Sequence, residues 1–284
     1  MRWQDQLSVN FWQIYSKLLC FWFNFKNKKS KIRTVNDVEV YVLGVKSRLK
    51  ESQIKYFDDF NPLDRAKYNF ACDWGQKYDC GKIVGMWEPK NVINDKSTLQ
   101  FLVTPESGEN TEYFGTYHYD FKTGYINTQR HFTTEYGWFH AKVKLTHAYD
   151  SWPAWWLLGD KQIEQESGIV PEFDIFEEMD GELTFTMHLD YSSEHLKHSG
   201  NSIKFDTRNW FIMSLHWTDK FVDWYVNGFK VKRFSLNNKS YIHKPHWMIF
   251  NEAYKGDVSK LTGKDGMSLD WVLVTDHNIN FGFD

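Results

Sequence analysis

From about residue 55 onward, short apolar and alternating runs recur along the chain, each bounded by residues typical of turns. The clearest is "VDWYVNGFKVKRF", residues 222–234, in which two alternating segments flank Asn227 and Gly228 and predict a β-hairpin. Other turn signals include Asn61-Pro62, Thr123-Gly124 and Asp180-Gly181. No comparable helical pattern interrupts these runs. The pattern therefore predicts an all-β domain over residues 55–284, an antiparallel β-sandwich.

The first 54 residues have a different pattern. Apolar residues recur there at helical spacing, at Trp3, Leu7, Phe11, Ile14, Leu18, Phe21 and Phe25. The spacing predicts an amphipathic N-terminal helix, followed by a connector in which "VEVYVLGV" is a candidate strand and "KSRLKESQIK" a polar helix or linker. The helix could dock on a protein surface, lie on a membrane surface with the basic cluster of residues 26–33, or act as a signal-anchor. It lacks the cleavage site of a clear signal peptide.

Composition narrows the classes of function. Aromatic residues make up 18% of the 284 residues, which suits a sandwich interior or a surface on which flat ligands stack. The net charge is −3 and the basic residues are mostly scattered, which argues against a nucleic-acid partner. With only three cysteines, a disulfide scaffold is excluded. Cys72 and Cys80 could pair in an oxidising compartment or remain thiols, and Cys20 would be left over.

One acidic segment stands out against this background. The stretch "PEFDIFEEMDGE", residues 171–182, places six acids on a segment whose Phe173 and Ile175 otherwise suit a buried strand. Alternation puts Glu172 and Asp174 on one face. Strict alternation would add Glu178 to that face, whereas a bulge of one residue after Ile175 would add Glu177. Three carboxylates in a row repel one another, so the arrangement indicates a chemical use.

The segment "EFDIFE" resembles the Glu-x-Asp-x-x-Glu signature of the family 16 glycoside hydrolases, the laminarinase, agarase and carrageenase group. The resemblance extends upstream through "TGYINTQRHFTTEYGWFHAKVKLTHAYDSWPAWWLLGD" and "YFDDFN", and downstream through "TMHLDY", "LHWTDKFVDWYVNG" and "MSLDWVLV". These motifs follow the family's order and cover residues 56–275. The resemblance implies a β-jelly roll with a concave substrate cleft, and a retaining endo-acting β-glycosidase.

The same resemblance implies the catalytic roles. Glu172 matches the nucleophile, Glu177 matches the acid that then serves as base, and Asp174 lies between them as a helper that shares a proton or hydrogen bond with Glu172. Clustered carboxylates push one another's pKa values apart, and the acid and base roles need that difference. Glu178 remains a competitor for Glu177, because only the family pattern favours the bulge.

Further matches suggest residues that bind the sugar. Pyranose rings stack on aromatic side chains, and hydroxyls bind amides and imidazoles. The predicted substrate-binding residues are Trp87, Asn91, Trp152, Trp156, His188 and Asn251, with Glu252 as an additional hydroxyl contact. Core packing is the alternative for the tryptophans, above all for Trp155, which faces the opposite way from Trp156 on a strand.

The chain also departs from the family pattern. Many laminarinase-like members read Ser-Gly-Arg where this chain has Thr123-Gly124-Tyr125, which argues against a standard β-1,3-glucan preference. Arg130 and His131, a few residues on, could instead serve a charged glycan. Asp270 matches a ligand of a structural calcium ion found in many members, with a solvent-facing acid as the alternative. No residue spacing suggests a catalytic metal or a nucleotide site, so no cofactor is expected for catalysis.

These observations predict hydrolysis of a β-linked polysaccharide, a β-glucan or a galactan. Two other readings use the same scaffold: a carbohydrate-binding protein without turnover, which has no need of the acidic trio, and a transglycosylase, which transfers the sugar to another sugar. A structural protein docking through its N-terminal helix is a further alternative. The substrate class favours an extracellular or cell-surface location.

Overall fold

A computed structural model describes residues 37–42, 45–96, 98–146, 150–159, 171–188, 198–236, 242–263 and 266–279. The predicted N-terminal helix and Cys20 lie outside these ranges. Within them, no helix has the length and apolar character needed to cross a bilayer.

The described residues form strands joined by turns and short 3-10 helices, which confirms the all-β prediction. The strands are β1 Asp37–Val42, β2 Val45–Lys50, β3 Ile54–Asp58, β4 Lys77–Cys80, β5 Ile83–Trp87, β6 Val92–Asp95, β7 Thr98–Thr104, β8 Gly108–Glu112, β9 Gly115–Tyr119, β10 Phe121–Thr123, β11 Tyr125–Asn127, β12 Gly137–Thr146, β13 Ala154–Gly159, β14 Glu172–Met179, β15 Glu182–His188, β16 His198–Lys204, β17 Phe211–Trp217, β18 Phe221–Val226, β19 Phe229–Ser235, β20 His246–Asn251 and β21 Gly266–Thr275. The 3-10 helices are Glu51–Gln53, Arg65–Lys67, Pro89–Asn91 and Val258–Lys260.

Two large sheets make the sandwich. The first, here called the cleft sheet, has six strands in the order β11-β20-β13-β14-β15-β16. The second, the outer sheet, has eleven strands and follows the path β19-β18-β17-β12-β21-β7-β10-β5-β4, with β3 and β6 pairing at β21 and β7. Two separate hairpins, β1-β2 and β8-β9, complete the described strands.

The main core lies between the two sheets. Phe173, Ile175 and Phe176 enter it from the cleft sheet, and Trp217 and Trp224 enter it from the outer sheet, all fully buried. Apolar burial on this scale is the main stabilising term of the fold and holds the two sheets face to face. The opposite face of the cleft sheet is thereby left for the acidic residues of β14.

The hairpin predicted around Asn227-Gly228 is confirmed. β18 and β19 pair antiparallel, and both turn residues have positive φ, 50° and 83°, as a tight hairpin turn with the strands' right-handed twist requires. The side chain of Asn227 also accepts a 2.8 Å hydrogen bond from the backbone N–H of Ile212, which connects the turn to β17, the neighbouring strand of the outer sheet.

The connector differs from its prediction. "KSRLKESQIK" contains strand β2 and then a 3-10 helix, not a polar helix or linker, because β2 pairs along its length with β1. Leu49 is buried with Trp271, Leu273 and Ile279 in a second apolar cluster. Strand alternation places this cluster on the face of the outer sheet away from the core. The domain boundary at residue 55 stays a prediction, and β3 begins one residue before it.

Candidate active site

A β-bulge in β14 arranges the acidic residues. The register of β14 shifts after Asp174 against both neighbouring strands, so that Asp174 lies opposite Trp156 and Glu177 opposite Ala154. The two residues inside the bulge, Ile175 and Phe176, both enter the core. One extra residue on the bulged strand changes the alternation beyond it. Glu172, Asp174 and Glu177 therefore share the outward face of the cleft sheet.

Glu178 takes the opposite direction. It lies across from Leu183, a fully buried core residue, and cross-strand partners share a face. Its side chain is 2% exposed, and its Oε1 accepts a 2.8 Å hydrogen bond from the backbone N–H of Gly181. The bulge thus places Glu177, and not Glu178, beside Asp174.

Hydrogen bonds orient the three outward carboxylates. The indole Nε1 of Trp152 donates to Glu177 Oε1 at 2.8 Å. His188 Nε2 lies 2.9 Å from Asp174 Oδ2 and 4.0 Å from Glu172 Oε1. Asp174 is in turn hydrogen-bonded to Glu172. Each carboxylate is therefore held by a neighbour that lies on the same face.

Burial and mutual repulsion raise two of the pKa values. Burial, followed by the charge of Glu177, raises the pKa of Asp174 well above its ordinary value. The pKa of Glu177 is also raised, first by burial and then by the charge of Glu172, while the hydrogen bond from Trp152 and the nearby His188 act in the opposite direction. Glu177 consequently keeps its proton to a higher pH than an exposed glutamate would, as a general acid must.

Two of the predicted sugar-binding residues, Trp156 and Asn251, lie on this face, and Asn251 is buried, with 9% of its surface exposed. Trp156 is partly exposed, and its Nε1 donates to Asn251 Oδ1 at 2.7 Å. Its neighbour Trp155 is fully buried in the main core and stacks on Phe250 with ring centroids 5.1 Å apart. The opposite orientations expected for the two tryptophans are thus confirmed.

Trp87 and Asn91 are placed inside the fold instead. Trp87 is 6% exposed and stacks between Tyr78 and Tyr125, with centroid distances of 5.1 and 4.2 Å. The Asn91 amide is also buried and donates to Leu102 O, Thr104 Oγ1 and Lys122 O at 2.9 to 3.2 Å. A sugar could reach Trp87 or Asn91 only if these contacts opened. The structure therefore does not place either residue on a surface where it could bind a sugar.

A buried cluster covers part of the cleft sheet. Cys72, Trp87, Tyr125, Leu158, Trp247 and Ile249 pack together over the outward face of β11 and β20. Tyr125 is fully buried, and its hydroxyl lies 2.8 Å from Cys72 Sγ. In the sequence, this cluster was signalled by Thr123-Gly124-Tyr125, where Tyr125 stands in place of the arginine found in many laminarinase-like members. Cys72 and Cys80 are both free and buried, which settles the two alternatives for that pair in favour of thiols.

Glu252 is a buried acid that the sequence reading assigned to a hydroxyl contact. It is fully buried, and Ser151 Oγ donates to its Oε1 at 2.6 Å. Burial, with the charge of Glu178 as a further cause, raises its pKa to about 8. Because it is fully buried, it cannot touch a substrate in this arrangement.

Two sets of residues are candidates for holding a metal ion. Among the described residues, one group of three potential ligands lies within 4.8 Å, namely Glu172, Asp174 and His188 of the acidic face. Asp270, the predicted calcium ligand, instead accepts a 2.7 Å hydrogen bond from the buried ammonium of Lys142. A cation at that oxygen would face the lysine charge, so the residues around Asp270 do not fit a calcium ion.

Comparison with known proteins bears on this arrangement. The family model for glycosyl hydrolases family 16 matches residues 82–273, more than half of the chain. The chain belongs to glycosyl hydrolase family 16. The matched span includes the three carboxylates of β14 and the residues around them.

Two curated relatives of this family 16 chain come from Rhizobium meliloti (strain 1021). The endo-1,3-1,4-beta-glycanase ExsH is 27% identical over 157 residues, which are 53% of this chain and 31% of that protein. The endo-1,3-1,4-beta-glycanase EglC is 26% identical over 163 residues, which are 54% of this chain and 33% of that protein. The chain thus spans about a third of the length of these relatives.

Solved structures share the fold of the family 16 chain. The laminarinase catalytic domain from Thermotoga maritima MSB8 matches with a TM-score of 0.63 and 21% identity, over 80% of this chain and 99% of that one. The endo-beta-1,3-glucanase from Pyrococcus furiosus matches with a TM-score of 0.65 and 18% identity, over 85% and 99% of the two chains. At these identities the likeness establishes the jelly-roll fold.

Proposed function

We propose that this chain is a retaining, endo-acting β-glycosidase that hydrolyses a β-linked polysaccharide by double displacement. The observation that carries the proposal is the bulge in β14, which puts Glu172, Asp174 and Glu177 on one outward face. Three adjacent carboxylates repel one another, which destabilises the fold, so their presence on one face indicates a chemical role. Family membership supports the same chemistry.

In the first step, Glu172 attacks the anomeric carbon while Glu177 gives its proton to the leaving oxygen. The glycosidic bond breaks and a covalent ester forms between the sugar and Glu172. The raised pKa of Glu177, caused mainly by burial, keeps this proton available to a higher pH than an exposed glutamate would keep it. In the second step, Glu177 takes a proton from water, the water oxygen attacks the anomeric carbon, and Glu172 leaves as a carboxylate.

Asp174 and His188 position the nucleophile. Asp174 is hydrogen-bonded to Glu172 on one side and to His188 Nε2, at 2.9 Å, on the other. A proton shared between Asp174 and Glu172 lowers the electrostatic cost of two carboxylates that lie together. As Glu172 loses charge on attack, that proton can shift toward Asp174, which is why we assign Asp174 a role in holding Glu172 in its reactive orientation.

The proposed substrate is a neutral β-glucan, with a galactan as the alternative. The curated relatives are named for 1,3-1,4-beta-glycanase activity, and the solved neighbours include laminarinases. Trp152 and Trp156 are proposed as stacking platforms, with Asn251 holding Trp156 in place. Tyr125, buried where many members carry an arginine, argues for a linkage preference different from that of β-1,3-specific members.

A polysaccharide panel tests this proposal. The protein is incubated with mixed-linkage β-glucan, laminarin, agarose and carrageenan, and products are sized early in the reaction. An endo-acting retaining enzyme releases a range of oligosaccharides, and proton NMR detects the β-anomer first. Exclusive early release of one small sugar, or of the α-anomer, contradicts the mechanism.

The alternatives give other outcomes of the same panel. A carbohydrate-binding protein binds a polysaccharide in a pull-down assay and releases no oligosaccharide. A transglycosylase gives products longer than the starting oligosaccharide when an acceptor sugar is added in excess. Either result would replace hydrolysis as the main activity.

A further inference from the structure

Two buried polar residues, Ser151 and Glu252, are hydrogen-bonded to each other close to the acidic face. Ser151 is 3% exposed and Glu252 is fully buried, and Ser151 Oγ donates to Glu252 Oε1 at 2.6 Å. Burying a carboxyl group costs free energy that an apolar side chain of similar size would not cost. The presence of the pair therefore indicates a role beyond filling space in the fold.

Each member of the pair is next in sequence to a residue of the outward face. Ser151 precedes Trp152, whose indole Nε1 donates to Glu177 Oε1 at 2.8 Å. Glu252 follows Asn251, the last residue of β20. Successive residues of an extended chain point to opposite sides. Ser151 and Glu252 therefore point away from the outward face, while their neighbours lie on it.

The backbone pairs the same two segments over a few residues. Ser151 forms an isolated antiparallel bridge with Tyr254. Next to it, Trp152 N–H donates to Ala253 O at 2.8 Å, and Ala253 N–H donates to Trp152 O at 3.1 Å. The Ser151–Glu252 bond adds a side-chain link to this short ladder. Its loss would let the segment that carries Trp152 shift relative to β14.

Glu252 can form this link without adding a charge. Burial raises the pKa of Glu252 to about 8, with the charge of Glu178 as a further cause and the bond from Ser151 acting in the opposite direction. Tyr78 also faces Glu252, and burial raises the pKa of its own hydroxyl. Below about pH 8 the carboxyl group of Glu252 is therefore neutral and does not repel Glu177.

We infer that Ser151 and Glu252 are positioning residues for the acid/base Glu177, which they orient through Trp152; the inference rests on the proposed function. The bonded pair fixes the segment of Trp152, and the indole then fixes the Glu177 carboxylate. Small displacements of a catalytic group lower the rate, because the proton must be given to one oxygen of a bound substrate. Neither positioning residue touches that substrate.

NMR of the Trp152 indole N–H tests the link without a substrate. Its resonance is assigned by its loss in Trp152→Phe, and it should move upfield in Ser151→Ala and Glu252→Leu as the bond to the carboxylate weakens. Glu252→Gln should keep the wild-type resonance, because its amide oxygen can still accept from Ser151. Ser214→Ala is the matched control, since Ser214 Oγ is also buried and lies 2.8 Å from His140 Nδ1 in the outer sheet.

The pH dependence of kcat/KM tests the consequence for Glu177. Ser151→Ala should move the alkaline limb to higher pH, because a weaker indole bond raises the pKa of Glu177. It should also lower kcat about fivefold, which corresponds to one neutral hydrogen bond. In a Trp152→Phe background, Ser151→Ala should not move the limb further, because the donor through which it acts is already absent. The other titratable groups that face Glu177 are unchanged in every variant, namely Glu172, Asp174 and His188.

Three results would overturn the positioning role: an indole resonance that does not move in Ser151→Ala, a limb that moves equally in Ser214→Ala, or a further shift of the limb in the Trp152→Phe background. Ser151→Ala removes a single oxygen, so it decides the matter even if Glu252→Leu does not fold. If no polysaccharide is cleaved, the resonance still shows whether the pair orients Trp152 against Glu177. The positioning role and the proposed function can therefore fail separately.

Discussion

The indole Nε1 of Trp152 donates a 2.8 Å hydrogen bond to Glu177 Oε1. This bond stabilises the carboxylate form and therefore lowers the pKa of Glu177, against burial, which raises it. The two effects together set the pH range in which Glu177 can act as an acid. The tryptophan thus acts on the proton of Glu177 in addition to any contact it makes with the sugar.

Trp152→Phe should move the alkaline limb of the kcat/KM profile to higher pH. The phenyl ring keeps an aromatic surface but removes the donor, so the pKa of Glu177 rises and its protonated form persists to higher pH. Trp156→Phe is the matched control, because its indole bonds Asn251 and not a catalytic acid. A limb that moves equally in both variants, or moves down in Trp152→Phe, contradicts this assignment.

Asp174→Asn should lower kcat roughly 10- to 100-fold and change KM little. The amide occupies the same volume, but it cannot take up a proton as the charge on Glu172 changes during attack. Asp180→Asn serves as a control, since Asp180 is an exposed acid in the same stretch. Initial rates over a range of substrate concentrations separate the two constants. A rise in KM with an unchanged kcat would assign Asp174 to substrate binding instead.

Glu252→Gln should increase stability at alkaline pH. The pKa of Glu252 rises from an ordinary 4.5 to about 8 on folding, so the unfolded chain releases this proton at lower pH than the folded one. Its contribution to the free energy of unfolding is therefore full below about pH 4.5 and is lost as the pH rises to about 8. At about 1.4 kcal/mol per pKa unit, the loss is on the order of 5 kcal/mol.

The glutamine cannot ionise, so the variant should lack this loss. Chemical denaturation of wild type and Glu252→Gln at pH 5 and pH 9 measures the difference, and Glu109→Gln, an exposed position, is the control. Parallel changes of stability with pH in all three proteins would mean that Glu252 does not carry the proton.

Asp270→Asn should destabilise the fold by about 1 to 3 kcal/mol, because it weakens a charged hydrogen bond to Lys142, which is 4% exposed. Addition of a chelator should leave the melting temperature of the wild type unchanged, since the residues around Asp270 do not fit calcium. If the chelator lowers the melting temperature of the wild type and not of Asp270→Asn, a calcium ion is bound at this aspartate after all.

Much of the fold could be predicted from patterns of period two along the sequence. Alternation and turn residues predicted the all-β sandwich, the hairpin at Asn227-Gly228 and the opposite orientations of Trp155 and Trp156. These features depend on local backbone geometry and on which face is apolar, and both can be read from neighbouring residues. The acidic face of β14 could be predicted for the same reason. Two alternatives remained for its third carboxylate, Glu177 if the strand has a bulge and Glu178 if it does not.

Features that depend on distant contacts were harder to predict. A bulge is decided by how Ile175 and Phe176 both fit the core, which requires the other sheet to be in place. The burial of Trp87 depends on Tyr78 and Tyr125, which come from other strands. Likewise, β2 is a strand because β1 pairs with it, although four of its six residues are polar. The partners of Asp270 and Glu252 are also remote in sequence, so neither the lysine bond nor the buried acid had a local signal.

The most direct test of the central claim compares Glu177→Gln with Glu178→Gln, adjacent acids that the bulge sends to opposite faces. Both are assayed on the best polysaccharide of the panel, with Glu172→Gln as the inactive reference and circular dichroism to check folding. We predict that Glu177→Gln loses about a thousandfold in kcat. Glu178→Gln, whose amide can still accept from Gly181, should stay within a few-fold of wild type. A folded Glu178→Gln that is inactive beside an active Glu177→Gln would contradict the account.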